Sequence, residues 1–132
     1  MPRQSYNVYA EMYERKQFTW SDAVRKGKIL VISGTVSTDE NHRTIHKDDL
    51  HAQMTYIYET VGALLEKAGA SFNDVVKTTD YITPQAVADY AKTADIRRKF
   101  FKGNYPAATG VVVHSLLRPD WLIEIEFTAV LE

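Results

Sequence analysis

Cysteine is absent from all 132 residues. This removes disulfides, thiolate metal sites and thiol nucleophiles together, and it fits a reducing compartment, so the cytoplasm is the expected location. Net charge is nearly absent as well: 16 lysines and arginines stand against 17 acids, and the positive charges are scattered. Nucleic acid or an anionic membrane surface would call for a basic stripe, so neither is an expected partner and a small molecule fits better. No window approaches the roughly 18 apolar residues a spanning helix needs, and the first residues lack the continuous apolar run of a leader. The four histidines (His42, His46, His51 and His114) have no metal-ligand spacing. A phosphate-cradling glycine loop and a Gly-x-Ser-x-Gly elbow are also missing. Neither a metal nor a nucleotide cofactor is expected.

What is present reads as one α+β domain over residues 1–132, with 45% hydrophobic residues to build a single core. Residues 1–17 form a polar, aromatic arm in which Tyr6, Tyr9 and Tyr13 are expected to pack on the domain or on a neighbouring copy. Phe18 to Ser37 predicts a hairpin turning at Lys26-Gly27, and Ser33-Gly34-Thr35 ends its apolar run. Gly34 suits a bulge or the close approach of a ligand. Asp49 to Ala68 is the clearest helix, with Leu50, Met54, Ile57, Val61, Leu64 and Leu65 at intervals of three and four, an aspartate to cap it and Gly69 to end it. Val75 to Thr83 predicts a strand. Thr83-Pro84 then predicts a capped second helix ending at Gly103, with Arg97, Arg98 and Lys99 near its positive-favouring end.

The last third carries the candidate chemistry. Residues 122–131 alternate with period two: Ile123, Ile125, Phe127, Ala129 and Leu131 share one face, and Glu124, Glu126, Thr128 and Val130 the other. Thr109 to Leu116 reads as a second strand, and Leu117-Arg118-Pro119-Asp120 as a connection between antiparallel neighbours, which would bring His114 toward Glu124. A carboxylate on a strand face sees water, pairs with a cation, or lines a pocket that tunes it for proton transfer. Glu124, Glu126, His114, Thr109 and Ser115 are the groups available for such work.

Val31-Ile32-Ser33-Gly34-Thr35, Gln53, Ala68-Gly69-Ala70-Ser71, Asp74 to Thr79, Pro106-Ala107 and Ile123-Glu124-Ile125-Glu126 resemble, in order and spacing, the YjgF or Rid (reactive intermediate deaminase) family. The resemblance implies a chorismate-mutase-like β-β-α-β-α-β-β fold, one mixed sheet with two helices on one face, and a homotrimer with ligand sites in the clefts between subunits. Members that deaminate enamines or imines carry Pro-Ala-Arg, whose arginine holds the substrate carboxylate, and a glutamate in the last strand that places water. Glu124 matches that glutamate, whereas Ala108 stands at the arginine and Gly110 at a common cysteine. Trp20 stands where the site tyrosine belongs, and Ala94 at a usual asparagine. The implied site is therefore Glu124 and His114 for catalysis, with Trp20, Gly34, Thr35, Ala108, Thr109 and Gly110 around the substrate. Alanine cannot clamp a carboxylate, so Arg97 and Arg118 are the candidate replacements. Two functions follow: a hydrolase of C–N bonds in an imine, enamine or related intermediate, or a trimeric binding protein that has lost the chemistry.

Overall fold

The alternation in residues 122–131 makes a strand with one apolar face, and such a strand is best placed where neighbours cover it on both sides. The computed structural model, which describes residues 2–9 and 18–132, puts it there. Six strands, β1 (Gln4–Tyr6), β2 (Ala23–Lys26), β3 (Ile29–Thr35), β4 (Val75–Ile82), β5 (Ala107–Val112) and β6 (Ile123–Val130), form one sheet in the order β1-β2-β3-β6-β4-β5. Every neighbouring pair is antiparallel except β4 and β5. Gly27, at φ +61°, makes the tight link between β2 and β3. The N-terminal arm contributes β1, and Tyr9 shares a 2.5 Å hydrogen bond with the Tyr56 hydroxyl. Tyr13 lies outside the described residues.

The expected antiparallel pairing of the last two strands is not what forms. β5 lies parallel to β4 at the sheet edge, and β4 separates it from β6. The reason is topological: a strand, a helical segment and a second strand make a parallel crossover unit, and the segment between β4 and β5 is helical. Once β5 occupies one side of β4, β6 must take the other.

Helix α1 (Leu50–Lys67) covers one face of the sheet, and its Leu50, Met54, Ile57, Tyr58, Val61, Leu64 and Leu65 are buried against Leu30, Ile32, Ile125 and Phe127. Asp49 caps it by accepting from Ala52 N–H at 3.0 Å, and Gly69 follows it at φ +75°. The second helical region is broken into α2 (Val87–Tyr90), a 3-10 turn and α3 (Ala94–Phe101). Thr83 does not cap it. The Thr83 hydroxyl donates instead to the Leu122 carbonyl at 3.2 Å, tying the end of β4 to the start of β6.

Gln53 is fully buried, and its amide braces three segments. It donates to the carbonyls of His46 (3.2 Å) and Asp120 (3.0 Å) and accepts from Leu122 N–H (3.0 Å). Replacing it with leucine keeps the volume and strands those backbone groups, so Gln53→Leu is expected to cost about 2–3 kcal/mol. Urea unfolding checks this, and an unchanged midpoint would refute the bracing role.

Candidate active site

β6 presents Glu124 on the face away from α1, because Ile123 and Ile125 take the covered side. Opposite it, β3 changes register between Ile32 and Thr35, so that an extra residue bends the strand. Gly34 sits in that bulge. A Cβ built on Gly34 would lie 2.1 Å from Glu124 Oε2 and 2.9 Å from its Cδ. The glutamate side chain therefore lies in space that exists only because residue 34 has no side chain.

A cavity of about 370 Å³ opens at this point. Glu124, Asp22, Ser33 and Thr35 are among its polar lining and Trp20, Trp121, Leu117 and Val36 among its apolar lining, which extends to Thr60 and Leu64 of α1. Ser33 is held by Oγ–H donating to the Ser21 carbonyl (2.6 Å), and the Thr35 hydroxyl donates to the Ser33 carbonyl (2.9 Å), so both hydroxyls stiffen the bulge. Glu124 itself has no hydrogen-bond partner among the described residues. Loss of water, and then repulsion from Glu126, raise its pKa above the ordinary glutamate value. Glu126 is occupied: Tyr81 donates to it at 2.6 Å, and this bond raises the tyrosine pKa.

Trp20, Gly34, Thr35 and Glu124 are thus brought together from separate parts of the chain. Ala108, Thr109 and Gly110 are not. They lie on β5, exposed along its length and separated from Glu124 by β4, where Lys77 donates to the Thr109 hydroxyl (2.5 Å). His114 is exposed in the connection beyond β5, so within one copy of the chain it does not approach Glu124 along a shared strand pair. Neither candidate cation lines the cavity. Arg97 lies on the covered side of the sheet, donating to the Tyr58 hydroxyl (3.0 Å) and to Thr78 Oγ1 (3.2 Å). Arg118 donates to the His42 carbonyl (2.7 Å) and stands 5.0 Å over the Trp121 ring.

Two lining residues, Trp121 and His42, carried no site signal in the sequence. Trp121 follows a turn and is only 5% exposed, with its indole N–H donating to Thr44 Oγ1 at 3.0 Å. His42 occupies a left-handed turn position at φ +60° and meets Trp121 edge to face. A turn histidine and a tryptophan distant from it in sequence announce no shared pocket until the loops dock. No group of three or more histidines, cysteines and carboxylates among the described residues is placed to hold a metal ion. Among the same residues, no helix is long and apolar enough to cross a membrane.

The sequence profile described as endoribonuclease L-PSP matches residues 14–131. The chain belongs to this family, the YjgF/Rid family. It is 34% identical over 122 residues to a RutC family protein of Pyrococcus abyssi, covering 92% of this chain and 94% of that protein. It is 35% identical over 107 residues to the 3-aminoacrylate deaminase RutC of Acinetobacter baylyi, covering 81% and 82% respectively. Among solved structures, a Mycobacterium tuberculosis member of the YjgF/YER057c/UK114 family superposes with a TM-score of 0.80 at 27% identity, covering 98% of this chain and 100% of that one. The mixed six-stranded sheet with its helices on one face is the YjgF fold.

Proposed function

We propose that this YjgF/Rid member hydrolyses the carbon–nitrogen double bond of a small imine, including one formed from an enamine, with Glu124 placing the attacking water. The observation that carries this is the seat of Glu124: a half-buried carboxylate without a hydrogen-bond partner among the described residues, packed over Gly34 and facing a cavity. The deaminase activity named for the Acinetobacter relative supports the same class of reaction.

The chemistry follows from the geometry. A carboxylate with free lone pairs accepts a proton from water as the water oxygen bonds to the imine carbon, and the C=N electron pair moves to nitrogen. The proton then passes to that nitrogen. In the resulting carbinolamine the C–N bond then breaks as the hydroxyl proton passes by way of Glu124 to the leaving nitrogen, so imine and water become carbonyl and ammonia with Glu124 restored. A raised pKa suits this work, since the group must both take and return the proton. Assay of ammonia release from imines generated in situ tests the proposal, and no turnover of any imine would overturn it.

Assembly as a homotrimer completes this proposal. Ile29, Val31 and Val130 stand 54%, 49% and 44% exposed on the sheet face opposite α1, which a monomer leaves in water. Packing of three copies through that face would cover them, and the exposed β5, with Ala108, Thr109, Gly110 and the nearby His114, would serve a neighbour's cavity. Light scattering is expected to return the mass of three 15.0 kDa chains. Val31→Glu, which sets a charge into the packed face, is expected to shift that mass toward one chain, whereas a monomeric wild type would refute the assembly.

Ala108 favours one other reading, a ligand-binding protein that has lost turnover, because this position cannot pair with a carboxylate. Saturable binding of a carbonyl product without ammonia release from the matching imine would select it.

A further inference from the structure

We infer that the substrate of this site carries a planar apolar ring, an aryl or heteroaryl group seated against Trp20, beside the reacting C=N bond. The inference rests on the hydrolase proposal and names its substrate class. Three observations carry it.

The first is what builds the wall. Trp20, Trp121, Leu117 and Val36 line the same cavity as Glu124. Tryptophan rings offer a large apolar contact area with little freedom to lose, which suits recognition of a flat group.

The second is that the rings are already fixed. Phe18 meets Trp20 edge to face at 4.8 Å and His42 at 5.6 Å, and His42 meets Trp121 at 6.4 Å. Trp121 is further held by its bond to Thr44 and by the Arg118 guanidinium over its ring. A wall that is ordered before binding loses little entropy on binding, so its contact area is realised as affinity. Trp20 nevertheless stays 49% exposed, leaving ring surface for a ligand to cover.

The third is size and charge. The cavity, at about 370 Å³, falls in the range of ~300–1,000 Å³ typical of sites that enclose whole small molecules, well beyond what a three-carbon imine fills. Glu124 in the lining favours the iminium form of the reacting group, and aromatic walls tolerate positive charge near their faces.

The test uses the full chain and two imino acids, with benzyl and methyl side chains, generated in situ from phenylalanine and alanine by an amino-acid oxidase. The benzyl compound is expected to give a kcat/KM at least ~10-fold higher, expressed mainly in KM. Trp20→Ala is expected to reduce that preference to within ~3-fold, and Trp20→Phe to retain most of it. Equal turnover of the two compounds, or a preference untouched by Trp20→Ala, would overturn the inference. In parallel, 3-phenyl-2-oxopropanoate and pyruvate, the carbonyl products, are titrated by tryptophan fluorescence, with Trp121 reporting in the Trp20 variants. Tighter, Trp20-dependent binding of the phenyl compound without turnover of either imine would support the ring site while refuting the hydrolase. Failure of the phenyl compound to bind more tightly than pyruvate would refute the ring site.

Discussion

Glu124→Gln is expected to lower kcat for imine hydrolysis by ~10²–10⁴-fold, the usual worth of a positioned acid–base group, while the protein becomes slightly more stable at neutral pH. The opposite signs share one cause. Glu124 sits where loss of water and the charge of Glu126 disfavour its ionised form. Glutamine keeps the shape and removes that penalty together with the base. The pH dependence follows from the same shift. Because the ionised form does the work, the acid limb of kcat/KM should fall at a higher pH than for an ordinary glutamate near 4.5. For folding, a carboxyl group whose pKa is raised in the folded state contributes stability below its unfolded pKa and loses it as pH rises through the folded value. The stability advantage of the glutamine variant should therefore grow from about pH 4.5 upward and vanish in stronger acid. Ammonia-release kinetics and urea unfolding at a series of pH values measure both. Unchanged kcat would remove Glu124 from the mechanism, and a stability difference independent of pH would show that its carboxylate is not strained by burial.

Gly34→Ala is expected to lose nearly as much activity without touching any ionisable group. The new methyl carbon would meet Glu124 Oε2 at 2.1 Å and Cδ at 2.9 Å, closer than real contacts of this kind, and Cγ at a tight 3.1 Å. The glutamate must swing away. Gly34 is not among the residues at positive φ, so alanine fits its backbone, and the displaced atoms belong to a flexible side chain. Stability should hold to within ~1 kcal/mol, since a restricted unfolded chain offsets part of the local crowding. A kcat reduced by ~10²-fold or more with an intact fold is the expected result. The decisive comparison is the double variant. If Gly34 acts by seating Glu124, adding Gly34→Ala to Glu124→Gln should cost little further activity, whereas independent losses that multiply would refute the coupling.

Much of the frame was legible in the residues. The three-and-four spacing from Leu50 to Leu65, the Asp49 cap and the Gly69 terminator locate α1 because helix signals are local. The period-two pattern of Ile123 to Val130 separates the core face from Glu124 for the same reason. The resemblance in Ser33-Gly34-Thr35 and Ile123-Glu124-Ile125-Glu126 named the two segments that meet at the cavity, although neither pattern says that they touch. Less legible was the place of β5. Its β-branched residues and the turn before β6 suggested a hairpin, but in the structure the helical segment before it carries the chain over as a crossover and sets β5 parallel to β4. Trp121 escaped notice because its role depends on Thr44, His42 and Trp20, all distant in the chain.

By itself, then, the sequence determined helix α1, the β2–β3 hairpin and strands β4 and β6, and which face of α1 and β6 is apolar, since these are written in the spacing of neighbouring side chains. It also determined that residue 108 is alanine and residue 124 glutamate. Tertiary structure decided everything that depends on register across strands. A one-residue bulge between Ile32 and Thr35 places Gly34 beneath Glu124, and the crossover to β5 carries Ala108 to the sheet edge. Strand order and bulge position are settled by how the whole sheet covers α1 and its neighbours, a balance of contacts between distant segments that no local spacing records.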